Sequence, residues 1–184
     1  DNARGEVRQR ETEQESVMGR IDRVDLFEDQ GARYVRVVDY KTGGREFSLA
    51  QTYYGLQMQL VVYLAAAVKQ LGGVPVGAFY FSVSDPVLDT PERNPEAVET
   101  LRAEALRMDG PVLADTDVIG AMGSLPENVI HVSFKKDGSL SKVGERALAK
   151  EDFERLIDHT LRMAYDMLTQ IRSGNTEIAP AKIG

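Results

Sequence analysis

The sequence predicts a mixed α/β fold in which a long helix packs on a central sheet. Two segments rich in β-branched and aromatic residues, 16–27 and 33–41, are separated by a turn-like stretch and predict an antiparallel hairpin. Apolar residues recur at helical spacing over 49–71, and the glycine pair 72–73 favours a helix end there. An apolar run of strand length, 76–83, follows. Strand, strand, helix and strand in this order are typical of an α/β core with a crossover helix.

The second half of the chain predicts smaller elements and a final helix. Asn94 followed by proline predicts a helix start, and 129–142 reads as a strand running into a short second hairpin. An amphipathic pattern predicts the last helix at about 150–173. We therefore expect one domain over 1–184, with a core at about 16–85, an insertion at about 86–145 and the C-terminal helix.

Composition limits the classes of protein that fit. The 184 residues, 42% apolar and 28% charged, suit one soluble globular domain, and no apolar run has the length of a membrane span. The absence of cysteine excludes thiolate metal sites within the chain and is compatible with a cytoplasmic protein. A net charge of −7 argues against nucleic-acid binding through an overall positive field.

Two aspartates and a lysine form the candidate chemical site. Alternation along the strand 33–41 places Asp39 and Lys41 on one face, in line with apolar residues. The same rule aligns Asp22 with apolar residues of the strand 16–27. Burial of unpaired carboxylates is costly, so a cation or a polar cleft is expected beside them.

A divalent metal would satisfy both carboxylates. Mg²⁺ prefers carboxylate oxygens and is held by one or two of them together with substrate phosphate, while a neighbouring lysine can orient or deprotonate an attacking water. The alternative interpretation is a set of ordinary surface charges, which for a lone D-x-K pattern is the commoner explanation.

Two polar residues on the following helix strengthen the metal interpretation. Gln59 and Tyr63 are four residues apart and therefore share one helical face. Their amide and hydroxyl groups could orient a lysine, a water or a phosphate without adding charge to an acidic site. Taken singly, each is more simply a solvated glutamine and a core aromatic residue.

Three blocks together resemble a known family. GRIDRVD at 19–25, VVDYKTG at 37–43 and YYGLQMQLVVYL at 53–64 are similar to the RecB-like branch of the PD-(D/E)xK nucleases, whose pattern is G-x-[IV]-D, D-Y-K-[ST] and Q-x-x-x-Y. The doubled GRIDRVD, the YYGL before the glutamine and GAFYFSVSDP at 77–86 resemble in particular the C-terminal nuclease domain of ATP-dependent helicase/deoxyribonuclease proteins of the AddB type. The resemblance covers nearly the whole chain.

The resemblance implies a restriction-endonuclease-like core and Mg²⁺-dependent hydrolysis of DNA, with Mn²⁺ as a possible substitute. It implies Asp22, Asp39 and the Tyr40 main-chain carbonyl as metal ligands, Lys41 as the water-activating residue, and Gln59 and Tyr63 as supporting site residues. It further implies an exonuclease acting on the 5′-terminated strand in the bacterial cytoplasm. There it would form a heterodimer with a helicase-nuclease of the AddA type, in double-strand break repair and recombination.

Two features depart from that family, and two alternatives stay open. Such proteins hold a 4Fe–4S cluster through cysteines, expected in the full-length protein but not in this chain. The upstream site residue of the family is not identifiable; the acidic candidates are Glu6, Glu11, Glu13 and Glu15. The alternatives are a catalytically inactive structural or DNA-guiding module of the same complex, and a stand-alone nuclease of the CRISPR-associated type. His131 and His159 each stand alone and are expected to be structural.

Overall fold

The structure, a computed structural model, describes residues 6–12, 15–29, 31–91, 93–122 and 128–177. Within them a five-stranded mixed sheet forms the centre, as predicted. Its strands are β3 (Arg23–Asp29), β4 (Ala32–Lys41), β5 (Val74–Ser82), β6 (Val112–Leu113) and β7 (Ala147–Leu148), in that spatial order. β4 and β5 run parallel, and β3 and β6 pair antiparallel with their neighbours β4 and β5.

A second, two-stranded sheet precedes the central one. β1 (Glu6–Thr12) and β2 (Glu15–Arg20) pair antiparallel with each other. The predicted strand 16–27 is therefore wrong in one respect: it is two strands in two sheets, joined at Ile21 and Asp22. Alternation of residue types continues across such a junction, so the pattern alone did not reveal the change of sheet. Of the upstream acidic candidates, Glu6, Glu11 and Glu15 lie on β1 and β2, and Glu13 is outside the described residues.

The crossover between β4 and β5 contains two helices rather than the single helix predicted over 49–71. α1 (Leu49–Tyr53) is short, and α2 (Gln59–Leu71) follows after a break. α2 ends where Gly72 lies at φ 71°, so the predicted glycine stop is confirmed.

The segment 86–145 contributes to the sheet and to the core. It contains α3 (Pro95–Ala105), β6 and α4 (Thr116–Gly120), and Asn94 caps α3 by accepting from Glu96 N at 3.1 Å. The predicted second hairpin is present in a short form: Phe134 and Leu140 form an antiparallel bridge, Lys135 N donates to Ser139 O, and Ser141 N donates to Ser133 O. β6 extends the central sheet beside β5, so this segment shares the core of the domain.

Apolar side chains cover both faces of the central sheet. On one face, Val35 and Val37 of β4 pack with residues of α2 and of α5 (Lys150–Arg172). On the other face, Val38 and Phe79 pack with the segment that runs from Met108 to Ala147. β4 and β5 are thus buried on both sides, as expected for strands paired in parallel, and polar residues at the end of β4 stand out against this core.

None of the helices among the described residues is both long and apolar enough to span a membrane.

Candidate metal-dependent nuclease site

The candidate site lies where β4 ends, at the edge of the sheet that faces α2. Asp39 continues the buried face of Val35 and Val37, and its residue is only 4% exposed. Lys41 follows two positions later on the same face, and its Nζ lies 2.5 Å from Asp39 Oδ2. The predicted neighbourhood of these two residues is confirmed.

Asp22 joins this site from the junction between β2 and β3. Its Oδ2 accepts a hydrogen bond from the backbone N–H of Tyr40 at 3.0 Å. Arg23 pairs with Val38 in the antiparallel register, so the next pair of positions along the two strands is Asp22 and Asp39. Facing positions on neighbouring strands have their Cβ atoms about 4.5–5.5 Å apart. The continued register and the hydrogen bond from Tyr40 thus put Asp22 beside the end of β4 that carries Asp39.

Two polar residues of α2 complete a chain of contacts. Lys41 Nζ donates to Gln59 Oε1 at 3.2 Å, and Gln59 Nε2 donates to the Tyr63 hydroxyl at 3.1 Å. The structure thus brings Gln59 to Lys41 and Tyr63 to Gln59. The amide holds the ammonium group without adding negative charge.

The donor set fits a hard divalent cation. Asp39 Oδ2 is buried and ion-paired with Lys41 Nζ at 2.5 Å, and no other described residue donates a hydrogen bond to it. A carboxylate oxygen with one cationic partner still has a lone pair for a bound cation. Two carboxylates and the adjacent Tyr40 carbonyl are oxygen ligands of the kind Mg²⁺ takes, with water and phosphate filling its other positions. Among the described residues no cluster of three His, Cys, Asp or Glu side chains occurs, so a metal here would depend on that carbonyl and on substrate.

Two further residues at the site were missed by the sequence reasoning. Tyr80 of β5 is the register partner of Asp39, and its ring lies 5.6 Å from Lys41 Nζ and 5.5 Å from the Arg45 guanidinium carbon. Burial raises the pKa of the Tyr80 hydroxyl, and the positive charges of Arg45 and Lys41 oppose this rise. Strand alternation could place Tyr80 on a face, but only the parallel register places it beside Asp39.

His159 contacts the first helix of the crossover. His159 stacks on Tyr53 with ring centroids 4.5 Å apart, and its Nε2 lies 2.9 Å from the Tyr53 carbonyl. That contact ties α5 to α1, in keeping with the structural role expected of it.

An α/β core with two aspartates and a lysine at the end of a central strand has the groups that metal-assisted hydrolysis uses: oxygen ligands for a cation and a positive charge beside them. Comparison of sequences gives the family: the chain matches the PD-(D/E)XK nuclease superfamily over residues 2–182. The chain belongs to this superfamily.

Similar proteins point to a narrower group, the B subunits of ATP-dependent helicase/deoxyribonucleases. The B subunit of Clostridium kluyveri (strain NBRC 12016) is 37% identical over 180 residues, which are 92% of this chain and 16% of that protein. The one of Alkaliphilus metalliredigens (strain QYMF) is 39% identical over 176 residues, covering 90% of this chain and 15% of that protein. The one of Thermoanaerobacter sp. (strain X514) is 35% identical over 181 residues, covering 94% and 16%. The resemblance to these proteins is confirmed over about 90% of this chain, which spans only 15–16% of their length.

Proposed function

We propose that this chain is a Mg²⁺-dependent DNA nuclease domain with its site at the end of β4. The observation that carries the proposal is the buried Asp39 carboxylate. It is ion-paired with Lys41, no other described residue donates to its Oδ2, and Asp22 is held at the same end of β4 by its hydrogen bond from Tyr40 N. Membership of the PD-(D/E)XK nuclease superfamily supports the same chemistry.

Each site residue has a distinct task in this proposal. Asp22, Asp39 and the Tyr40 carbonyl hold the metal, which when bound offsets negative charge at phosphorus and acidifies water. Lys41 Nζ orients the attacking water and donates a hydrogen bond to the phosphate oxygens as their charge increases.

Gln59 and Tyr63 keep Lys41 in place through their chain of hydrogen bonds. Lys41 Nζ contacts two groups, the Asp39 carboxylate and the Gln59 amide. A cation bound by Asp39 would weaken the ion pair between Asp39 and Lys41. Lys41 could then donate to the substrate while it keeps its hydrogen bond to Gln59.

We further propose that the chain is the C-terminal nuclease domain of an AddB-type protein. Support comes from relatives named as B subunits of helicase/deoxyribonucleases, in which the matched region is a small part of the length. In that setting it acts as an exonuclease on the 5′-terminated strand, paired with an AddA-type helicase-nuclease in the bacterial cytoplasm. It serves double-strand break repair and recombination, and the rest of the protein supplies the 4Fe–4S cluster.

A second candidate keeps the fold and the complex but not the catalysis. The observation that favours it is the small set of metal ligands, two carboxylates and one carbonyl among the described residues. In this case the domain would guide DNA through the assembly. A stand-alone nuclease of the CRISPR-associated type is less well supported, because the relatives are large proteins of which this chain matches only a part.

Cleavage of end-labelled linear DNA separates the two candidates. With Mg²⁺ we expect the chain, or the AddB-type protein that contains it together with its AddA-type partner, to degrade DNA, and we expect Lys41→Ala to reduce the rate at least a hundredfold. Lys69→Ala is the matched control, because Lys69 is exposed at the far end of α2. Because the AddA-type partner is itself a nuclease, only the 5′-terminated strand, labelled separately, reports on this site. Degradation of that strand at an unchanged rate in Lys41→Ala, or no Mg²⁺-dependent degradation of it by the assembled complex, would overturn the nuclease proposal in favour of the guiding module.

A further inference from the structure

Two arginines share one aspartate on the face of the sheet opposite Asp39 and Lys41. Arg23 Nε donates to Asp25 Oδ1 and Arg36 Nε donates to Asp25 Oδ2, both at 2.7 Å. Burial opposes ionisation of Asp25, but the two guanidinium groups outweigh it and hold the pKa of Asp25 below its usual range. All three groups are therefore charged near neutral pH, and the cluster carries a net charge of +1.

One buried donor of the cluster has no hydrogen-bond acceptor among the described residues. The Arg36 side chain is 16% exposed, and its Nη1 is buried without a hydrogen-bond partner among the described residues. A buried charged donor without a partner is costly. Because Nη1 itself is covered by protein, an anion would meet the exposed parts of the two side chains, 38% for Arg23 and 16% for Arg36, and the net positive charge of the cluster favours an anion there.

Open space lies beside both arginines. Arg23 and Arg36 line a cavity of about 390 Å³ together with Phe27 and Met122. They also line a second cavity, of about 370 Å³, which includes Tyr40 and Phe81. Both volumes fall in the range of small-molecule sites, and the second is large enough for one nucleotide.

Tyr40 links this second cavity to the candidate catalytic site. Its main chain sits between Asp39 and Lys41, while its side chain points to the opposite face, next to Arg23. The ring is 40% exposed and packs edge-on against Phe81, with centroids 5.9 Å apart. An exposed aromatic face beside a positive cluster suits a base stacked on the ring and a phosphate on the guanidinium groups.

We propose that this cavity is a DNA-strand subsite, in which Arg36 and Arg23 bind a backbone phosphate and Tyr40 and Phe81 support a base. The inference rests on the proposed function, since it extends the path of the substrate beyond the cleaved linkage. Arg36 and Tyr40 are four residues apart on β4, about 13 Å at 3.3 Å per residue. The strand must also pass from this face of the sheet to the face of Asp39 and Lys41, and stacked DNA advances about 3.4 Å per nucleotide, so the bound phosphate lies at least a few nucleotides from the one at the metal site.

Binding of a single-stranded oligonucleotide with all metal chelated tests the subsite without cleavage. We expect Arg36→Met to weaken binding about tenfold and to reduce the steepness of the salt dependence by about 0.7, the value for one lost phosphate contact on a single strand. Arg33→Met is the matched control, because Arg33 lies on the same strand but is exposed and paired with Glu28. Unchanged affinity and salt dependence in a folded Arg36→Met protein would overturn the proposal and leave the cluster a purely structural one.

A scan with the unaltered protein guards against a variant that fails to fold. Neutral methylphosphonate linkages placed one at a time along the oligonucleotide should reveal one position, a few nucleotides from the cleaved bond, that weakens binding about tenfold. A flat profile would contradict the subsite even if every arginine variant unfolds. Cleavage in Mg²⁺ is measured separately. If the protein cleaves DNA but no methylphosphonate position weakens binding, only the subsite proposal fails. If one position weakens binding and depends on Arg36 but no DNA is cleaved, only the nuclease proposal fails.

Discussion

Gly19 lies against the ring of Tyr63, which gives a physical reason for a glycine at the start of the GRIDRVD block. A Cβ added to Gly19 would lie 2.8 Å from Tyr63 Cε1 and 3.2 Å from the Tyr63 hydroxyl oxygen. Any side chain at residue 19 must therefore displace the ring. Since Tyr63 accepts from Gln59, and Gln59 accepts from Lys41, the displacement would reach the lysine. Gly19 is a positioning residue for Lys41 in this account.

Gly19→Ala should lower the DNA cleavage rate about tenfold, equivalent to about 1.4 kcal/mol in the barrier, with little change in KM. The physical reason is a misplaced Lys41 rather than lost substrate contact. The double variant Gly19→Ala, Tyr63→Leu has no clash with the ring, and it lacks the Tyr63 hydroxyl just as Tyr63→Leu does. Its cleavage rate should therefore equal that of Tyr63→Leu alone.

Gly43→Ala is the control for this series, because a Cβ at Gly43 meets nothing within 4 Å. Equal cleavage rates for the Gly19 and Gly43 variants would refute the positioning role.

At the level of single residues, the sequence predicted which residues lie together at the site but not the route by which each one arrives there. Alternation put Asp39 and Lys41 on one face, and helical spacing put Gln59 and Tyr63 on one face, and both pairs lie together as expected. Asp22 lies at the same site but belongs to the junction between the two sheets, not to a strand as predicted. That position depends on the register between distant strands, which local patterns do not encode.

The break between α1 and α2 depends on a glycine and a buried glutamine. Gly55 adopts φ 81°, and a Cβ there would lie 2.6 Å from Met163 Sδ. Gln57, which is buried, accepts from Ser48 N at 3.0 Å and donates to Glu46 O at 3.1 Å. The prediction of one helix was wrong because apolar spacing continues through the break, while the backbone follows the hydrogen bonds of Gln57.

Gly55→Ala should destabilise the fold by about 1–3 kcal/mol, because alanine is strained at positive φ and its Cβ crowds α5. Urea unfolding measures the change. Gly120→Ala is the comparison, since Gly120 ends α4 with open space around it and should be neutral or slightly stabilising. A Gly55 variant as stable as the Gly120 variant would show that the break does not require the left-handed backbone.

The sequence predicted the mixed central sheet but not the short strands β6 and β7. The hairpin of β3 and β4, the crossover and the buried β5 follow from apolar patterns, and the mixed sheet is confirmed. β6 and β7 have two residues each, too short for any periodic signal, and they join the sheet only through pairing with β5 and with each other.

Across the whole molecule, net charge and local charge point in different directions. The chain carries −7, which opposes binding of DNA by a long-range field. The cationic groups that matter in this account are local: Lys41 and Arg45 at the site, and Arg23 and Arg36 behind Tyr40. We therefore expect a substrate delivered by a larger assembly and held at a few phosphates.

Binding of Mn²⁺, followed by electron paramagnetic resonance, shows whether Asp22 and Asp39 hold a metal ion. The account predicts that Asp39→Asn and Asp22→Asn each weaken Mn²⁺ binding at least tenfold. Asp29→Asn, an exposed aspartate at the far end of β3, should not change it. Lys41→Ala should bind Mn²⁺ at least as well as the unaltered chain, because a competing positive charge is gone, and still fail to cleave DNA. Mn²⁺ binding that is indifferent to Asp39 and Asp22 would contradict the account.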